Sequence, residues 1–317
     1  MPTPTENLSL FGEPEDSLRL RLRERLSALA QQQVYIGTSS WKYQGWIDQI
    51  YSRDRYLSRG RFSQKRFEAE CLSEYSQTFP IVCGDFSFYQ FPTSEFWRRL
   101  FQSALPTLSY AFKVPEAITV KMYPVHPRYG DSAGSLNDQF LNAELFRAMF
   151  LDLLEPYRGQ VAVLIFEFGR SQQPLATFLA ELEPFLASLP QTYRYAVEIR
   201  NQEFLAPEYF SCLRRYGVAH VFNAWTRMPE IADQMQLPDV YTADFTVTRA
   251  LLRKGRPYEE AVSRLAPYRE IQDANPGTRQ ALRDLIERAR RLPQPSYIFV
   301  NNRLEGNAPG TIEAITD

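Results

Sequence analysis

Charged side chains close several apolar runs of this sequence, where an unpaired charge would be costly to bury. Glu198 and Arg200 lie two residues apart and therefore share one side of a predicted strand. The arginine can bind a carboxylate or phosphate through its planar fork, and the glutamate can accept protons or ligand hydroxyls. Glu167, at the end of the preceding run, gives the carboxylate pair that acid–base sugar chemistry uses. Lys113 closes an earlier run and provides either a second cation for an anionic ligand or an ion-pair partner.

Polar and aromatic residues after the other apolar runs complete a candidate ligand site. The first run, 34–37, leads into small hydroxyl residues and then into several aromatic rings. Such rings either stack on a ligand or cover the core. The predicted ligand-binding residues are Thr38, Ser39, Trp41, Tyr43, Trp46, Asp85, Tyr89, Arg249, Asn301 and Asn302.

Eight short apolar runs must position these groups. They are separated mainly by helical patterns, which predicts parallel strands joined by helices. The count predicts a closed α/β barrel, a TIM-barrel-like (β/α)₈ fold, in which reactive groups lie at the carboxyl ends of the strands. An open doubly wound sheet is the alternative, weakened because no GxGxxG follows any run. The predicted strands are 34–37, 80–89, 108–114, 161–168, 193–200, 218–223, 240–245 and 296–302.

The remaining segments suggest the domain organisation. We interpret residues 1–30 as a flexible N-terminal tail and a short helix, and 31–317 as one barrel domain. The span 249–292 is charged and helix-rich, and we expect a long helical insertion before the last strand. The polar stretch 116–139 holds several Pro and Gly residues, which is typical of a functional lid or a disordered loop.

Composition limits the function classes. Three dispersed cysteines and two histidines argue against a zinc site or a disulfide framework, so we expect no metal and no cofactor. A magnesium site formed by Asp85, Glu167 and Glu198 remains an alternative. The formal net charge of −1 gives no general reason to expect nucleic acid, although a local basic patch keeps that partner open. Without a membrane-length apolar run or a secretory leader pattern, we expect a cytoplasmic protein with a small-molecule ligand and no membrane association.

Several ordered motifs resemble the Domain of Unknown Function 72 family, also called YecE-like proteins. They are Ile36-Gly-Thr-Ser-Ser-Trp-Lys-Tyr43 with Trp46, Leu72-Ser-Glu-Tyr75 with Phe79, Phe88-Tyr89 with Pro92, Phe112-Lys-Val-Pro115, Val197-Glu-Ile-Arg200, and Phe299-Val-Asn-Asn302 with Gly306 and Ala308. The resemblance implies a TIM-barrel-like fold and no established activity. Val120 and Asn223 stand where the family commonly has histidine and aspartate, which suggests a divergent member.

These observations leave three functional hypotheses, and whether the chain is an enzyme stays open. The first is a hydrolase or isomerase acting on a small hydroxylated or anionic ligand. In that hypothesis Glu198 is the acid/base, Arg200 and Lys113 hold the anion, and Glu167 is the second carboxylate. The alternatives are a non-catalytic small-ligand-binding protein and a nucleic-acid-processing protein.

Overall fold

A closed barrel of eight parallel strands forms the centre of the molecule. The computed structural model describes residues 17–317. In chain order the strands are Val34–Thr38, Ile81–Gly84, Ser109–Lys113, Val161–Phe168, Tyr195–Ile199, Ala219–Ala224, Thr246–Ala250 and Ser296–Val300, called first to eighth below. Each strand pairs with the next, and the first strand pairs with both the second and the eighth, which closes the sheet. The predicted α/β barrel is confirmed.

Alternating side chains fill the barrel interior, as the period of two in a strand requires. The interior cluster is built from small and branched aliphatic residues with a few aromatic rings. Tyr35 and Tyr297 stack near the amino ends of the first and eighth strands, with ring centroids 5.5 Å apart. The following interior positions carry polar side chains towards the carboxyl ends. The barrel therefore has an apolar core that gives way to a charged layer at one mouth.

Helices surround the barrel and bury a larger apolar cluster against the outer faces of the strands. The helix before the eighth strand begins with Asn275 as its cap and Pro276 in its first turn. The α-helices are Leu18–Gln31, Gln64–Tyr75, Ser94–Gln102, Glu116–Thr119, Ala143–Phe146, Asp152–Leu154, Leu175–Ser188, Pro207–Arg215, Ile231–Met235, Tyr258–Leu265, Pro276–Arg291, Asn302–Glu305 and Ala308–Thr316. A π-helical segment, Arg147–Leu151, joins two of them. Among residues 17–317 no helix is both long and apolar enough to cross a bilayer.

The seventh strand is displaced from its predicted position. It spans Thr246–Ala250 instead of 240–245, and Asp244 precedes it instead of lying near its end. The prediction failed because Arg249 makes the true strand look exposed, whereas Arg249 points into the barrel and is neutralised there. The helical insertion consequently begins after Ala250 and contains the helices Tyr258–Leu265 and Pro276–Arg291.

The loop 116–139, predicted to be a functional lid or a disordered loop, makes specific contacts with the short helix that opens it. Asn137 donates to the carbonyls of Ala117 and Val120 at 2.8 and 2.7 Å, and Arg128 pairs with Glu116 at 2.7 Å. The loop is therefore fastened to the short helix that opens it. At the amino end, the helix Leu18–Gln31 packs against the final helix; most of the predicted tail lies outside the described residues.

Candidate functional site

Six charged side chains from five strands or strand ends meet at the carboxyl mouth of the barrel. The strand pairing places Glu167 beside Glu198 and Asn223 beside Arg249. Asp85, Lys113, Glu167, Glu198 and Arg249 each lie two residues beyond an apolar interior residue of their strand, and Arg200 lies two residues beyond Glu198. We call this set the ion layer; its members are Asp85, Lys113, Glu167, Glu198, Arg200 and Arg249.

Arg249 is the centre of the ion layer. Its Nη1 donates to Glu167 Oε2 at 2.6 Å and to Glu198 Oε2 at 2.5 Å, and its Nη2 donates to Asp85 Oδ1 at 3.0 Å. Arg249 is 1% exposed and Glu198 has no exposed surface. One guanidinium therefore bridges three carboxylates in a site that water barely reaches.

Arg200 and Lys113 supply the other two positive charges. Arg200 Nη2 donates to Glu167 Oε2 at 3.0 Å and lies 2.8 Å from Glu198 Oε1. The Lys113 ammonium lies 3.1 Å from Glu167 Oε2 and sits 3.7 Å from the centre of the Phe88 ring. Three carboxylates thus face three cations, and the layer has no net charge when all six groups are ionised.

The pairing shifts the pKa values of two members of the ion layer, Glu167 and Arg249. Burial alone would raise the pKa of Glu167, but Lys113, Arg200 and Arg249 together hold it well below its usual value. Burial alone would lower the pKa of Arg249, and Glu198 and Asp85 are the largest of the opposing charges that keep it well above the ordinary arginine value. Glu167 is therefore an ion-paired carboxylate at neutral pH.

The guanidinium of Arg249 lies where a cation could otherwise be shared by Asp85, Glu167 and Glu198. Within the described part of the chain, no three His, Cys, Asp or Glu side chains are grouped so as to hold a metal ion. The acidic oxygens are directed to arginine instead.

A basic cleft of about 290 Å³ opens beside the ion layer at the same mouth. Arg200 connects the two, because it pairs with the layer and also lines the cleft. Its guanidinium lies 4.1 Å from the centre of the Trp225 ring, so an indole supports the flat face of the fork. We call this pocket the basic cleft; its lining residues are Arg170, Arg200, Gln202, Glu203, Arg227 and Lys254.

Reciprocal hydrogen bonds join the loops on one side of the basic cleft. Asn201 accepts from the Ser171 amide at 2.8 Å and donates to the Ser171 carbonyl at 2.8 Å. The same side-chain amide donates to Glu203 at 2.7 Å. These contacts connect the loop that carries Arg170 to the loop that follows Arg200, so this wall is pre-formed.

The opposite wall is joined in the same way. Thr226 accepts from the Gly255 amide at 2.8 Å and donates to the Arg256 carbonyl at 2.8 Å. Asp273 pairs with Arg253 at 2.5 Å and also with Arg256. Arg227 and Lys254 are adjacent in sequence to these fixed positions.

Several buried polar atoms around the mouth have no hydrogen-bond partner among the described residues. Arg200 Nη1 is the one that belongs to a cleft-lining side chain, and Arg200 is only 8% exposed. Others at this end are Ser39 Oγ, Asn223 Oδ1, Thr248 Oγ1 and Arg249 Nε. Because an unpaired buried donor is costly, Arg200 Nη1 marks a place where a ligand acceptor would be stabilised.

The predicted aromatic rim is divided in the structure. The Tyr43 ring packs against Trp46 in a tilted arrangement, with ring centroids 4.9 Å apart and an interplanar angle of 45°. Burial raises the pKa of Tyr43 to about 12 despite nearby Arg303. Trp46 is fully buried and donates to Asn302 Oδ1 at 3.1 Å. Trp41 is also buried, with its ring edge towards Phe86. These rings pack chiefly against one another.

Consecutive strand residues face opposite sides of the barrel wall, so the other predicted ligand-binding residues do not all face the barrel interior. Thr38 points outwards and its hydroxyl lies 2.9 Å from Tyr75 Oη, whereas Ser39 takes the interior-facing position. Asn301 caps the helix Asn302–Glu305, and Asn302 accepts from the Ala308 amide at 2.8 Å. The structure therefore does not bring Thr38, Trp46 or Asn302 to the ion layer.

Asp85 and Tyr89 occupy the rim. Asp85 pairs with Arg249 while a third of its side chain stays exposed. Tyr89 is 60% exposed, and the Arg128 guanidinium lies 5.0 Å from the centre of its ring. Both residues remain accessible to a ligand at the mouth.

No strand or helix pattern in the sequence singles out the exposed members of the basic cleft. Lys254 lies in the basic run 253–256, which could bind phosphate but is more often a solvated surface in proteins. Arg170 and Arg227 were not singled out, although each follows the end of a predicted strand within a few residues. A search for cations in the loops after the strands would have found them.

The comparisons with known proteins identify a family and a fold. The family model described as "Protein of unknown function DUF72" matches residues 35–317. A crystal structure of a DUF72 family protein from Thermotoga maritima has a TM-score of 0.60 at 20% identity, covering 88% of this chain and 96% of that one. A DUF72 family protein from Enterococcus faecalis has a TM-score of 0.57 at 14% identity, covering 89% and 96%. No curated protein matches the sequence.

Proposed function

We propose that this chain, which belongs to the DUF72 family, binds a small anionic ligand in the basic cleft at the carboxyl mouth of the barrel. The observation that carries the proposal is Arg200. It is almost fully buried, its plane rests on Trp225, two carboxylates hold one end of its fork, and Nη1 has no partner in the described structure. A pre-oriented, always-charged fork is suited to carboxylate or phosphate.

The charge balance supports an anion. The charge of Arg200 is already matched within the ion layer, so it does not add to the surplus in the cleft. The exposed lining contributes three cations, Arg170, Arg227 and Lys254, against the carboxylate of Glu203. Three positive charges minus one negative charge leave a surplus of two beside a neutral layer.

The same geometry favours binding over the acid–base reaction that the sequence suggested. A general acid must be protonated at the working pH, and its pKa is best placed near that pH. The pKa of Glu167 is instead held well below its usual value, and Glu198 is enclosed between Arg249 and Arg200. Lys113 is engaged by an ion pair with Glu167 and lies over the Phe88 ring, so its amine is not free to attack a ligand. A non-catalytic ligand-binding protein therefore fits the geometry better than a hydrolase or isomerase.

Isothermal titration calorimetry with citrate and with inorganic phosphate as probes tests the proposal. The double variant Arg227→Ala/Lys254→Ala removes exposed cations without disturbing the ion layer, and we expect at least tenfold weaker binding. Arg147→Ala is the matched control, because that arginine is exposed, does not line the cleft and should leave affinity unchanged.

Equal affinity of the wild type and the double variant for both probes would place any anion site elsewhere and overturn the proposal. Hydrolysis or isomerisation of a ligand, abolished by Glu198→Gln in a folded protein, would restore the enzymatic hypothesis.

A further inference from the structure

We propose that the anionic group recognised by the basic cleft is a phosphomonoester carried on a small molecule. This inference rests on the proposed function and specifies its ligand class. It draws on three features of the cleft: the size of its charge surplus, the kind of donors that line it, and its volume.

The surplus of positive charge in the basic cleft matches the negative charge of a dianion. Arg170, Arg227 and Lys254 exceed Glu203 by two charges, and Arg200 is already balanced by its carboxylates. Glu203 stays ionised, since its own backbone amide and Asn201 hydrogen-bond to it and lower its pKa. A phosphomonoester carries between about −1.5 and −2 charges at pH 7, whereas a carboxylate carries one.

The donors suit a group with three acceptor oxygens. Three arginines, Arg170, Arg200 and Arg227, line one cleft together with Lys254. A single arginine fork satisfies both oxygens of a carboxylate. A terminal phosphate has three strong acceptor oxygens and can be contacted by several forks at once. Arg200, which lines the cleft, also carries a buried Nη1 without a hydrogen-bond partner among the described residues.

The volume points to a small ligand. At about 290 Å³ the cleft lies at the lower end of the range for small-molecule sites. A nucleic-acid strand is recognised along an extended basic groove with stacking aromatic platforms. None of the six residues that line the basic cleft is aromatic, and the Trp225 ring that supports Arg200 is covered by that guanidinium. The arrangement therefore favours one terminal phosphate over a chain of phosphodiesters.

Calorimetric titration with matched probes tests this inference on the full chain. Glycerol 3-phosphate, D-glycerate and glycerol share a skeleton and differ in charge. The second pKa of a phosphomonoester is about 6, so only about a tenth is dianionic at pH 5, and we expect about tenfold weaker binding at pH 5 than at pH 7.5. The facing groups are Arg170, Arg200, Arg227, Lys254 and Glu203, with Glu167 and Glu198 behind Arg200, and no histidine lines the cleft. D-glycerate should bind more weakly and without that pH dependence, and glycerol should not bind.

The outcomes separate this inference from the proposed function. D-glycerate binding as tightly as glycerol 3-phosphate, or an unchanged affinity for the phosphate at pH 5, would overturn the phosphomonoester while leaving anion binding intact. Binding of none of the charged probes would count against both. Displacement of glycerol 3-phosphate by an oligonucleotide without terminal phosphates, at equal or lower concentration, would overturn the inference that the ligand is a small molecule. Circular dichroism at pH 5 controls for loss of fold. The Arg147→Ala variant controls for the effect of removing an arginine outside the cleft.

Discussion

Replacing Arg249 by methionine should destabilise the protein more than almost any other single change at the mouth. Methionine keeps an unbranched, flexible side chain, although a shorter one, and removes the charge that bridges Asp85, Glu167 and Glu198. The ion layer would then hold three carboxylates against Lys113 and Arg200, leaving one negative charge without a counter-charge. Breaking a buried ion pair from one side typically costs about 3–5 kcal/mol, a large share of the roughly 5–15 kcal/mol that stabilises a folded protein.

Urea denaturation followed by circular dichroism measures this loss as a change in the free energy of unfolding. The deficit should be largest at pH 7.5 and shrink towards pH 5, because protonation of one carboxylate can neutralise the surplus charge in the variant. Adding Glu198→Gln to Arg249→Met restores two carboxylates against two cations and should recover part of the stability. The matched control is Arg290→Met, an exposed ion pair with Glu287, which should cost at most about 1 kcal/mol.

The result that would refute this reasoning is a loss below about 1 kcal/mol for Arg249→Met, comparable to the surface control. A double variant whose loss equals the sum of the two single losses would also contradict it, because independent effects would mean that the two groups do not share a charge balance.

Three further predictions concern pH and packing. Because the pKa of Glu167 is lowered in the folded state, this carboxylate should stabilise the fold above the ordinary glutamate pKa. That stabilisation should be lost as the pH falls through the lower folded pKa, so Glu167→Gln should flatten the acid limb of a curve of unfolding free energy against pH. An unchanged acid limb would contradict the pairing. Burial lowers the pKa of His220 to about 4, despite its hydrogen bond with Gln234, so its NMR titration should have a midpoint near pH 4. Between pH 6.5 and 4 the histidine is protonated in the unfolded chain but neutral in the folded one, so acidification across that window should lower the free energy of unfolding by about 3 kcal/mol. An NMR titration midpoint near pH 6.5 would instead show that the His220 ring is solvated. Asn302→Ala leaves the Trp46 indole and the Ala308 amide without their acceptor, so urea denaturation should show a loss of about 1–3 kcal/mol for each donor. Calorimetry should show that the anion affinity of this variant is unchanged. Weakened anion binding by a folded Asn302→Ala variant would show that Asn302 belongs to the ligand site after all.

The barrel was predictable because seven of its strands are apolar runs bounded by polar or structure-breaking residues. The remaining strand, the seventh, shows what the sequence pattern could not predict. The strand Thr246–Ala250 carries a buried arginine, and a buried charge is recognisable only when its partners are known. Those partners lie 51, 82 and 164 residues away in the sequence, so no local pattern could reveal them.

The candidate site was predictable in part, since polar residues at strand ends could be named before their contacts were known. The period of two would have separated Ser39 from Thr38 and Asn301 from Asn302. What the sequence could not show is whether a charge is matched. Glu167 and Glu198 look like an acid–base pair until Arg249 and Arg200 are placed beside them. Arg170 and Arg227 lie in loops without periodicity, and only the fold brings them together.

Crystals soaked in tungstate, a tetrahedral dianion visible by anomalous scattering, test the central claim most directly. The account predicts an anomalous peak in the basic cleft, within hydrogen-bonding distance of Arg200 Nη1 and flanked by Arg227 and Lys254. Peaks found only elsewhere, for example at the opposite mouth near Arg194 and Arg214, would contradict it, as would an unoccupied cleft at tungstate concentrations that fill other sites.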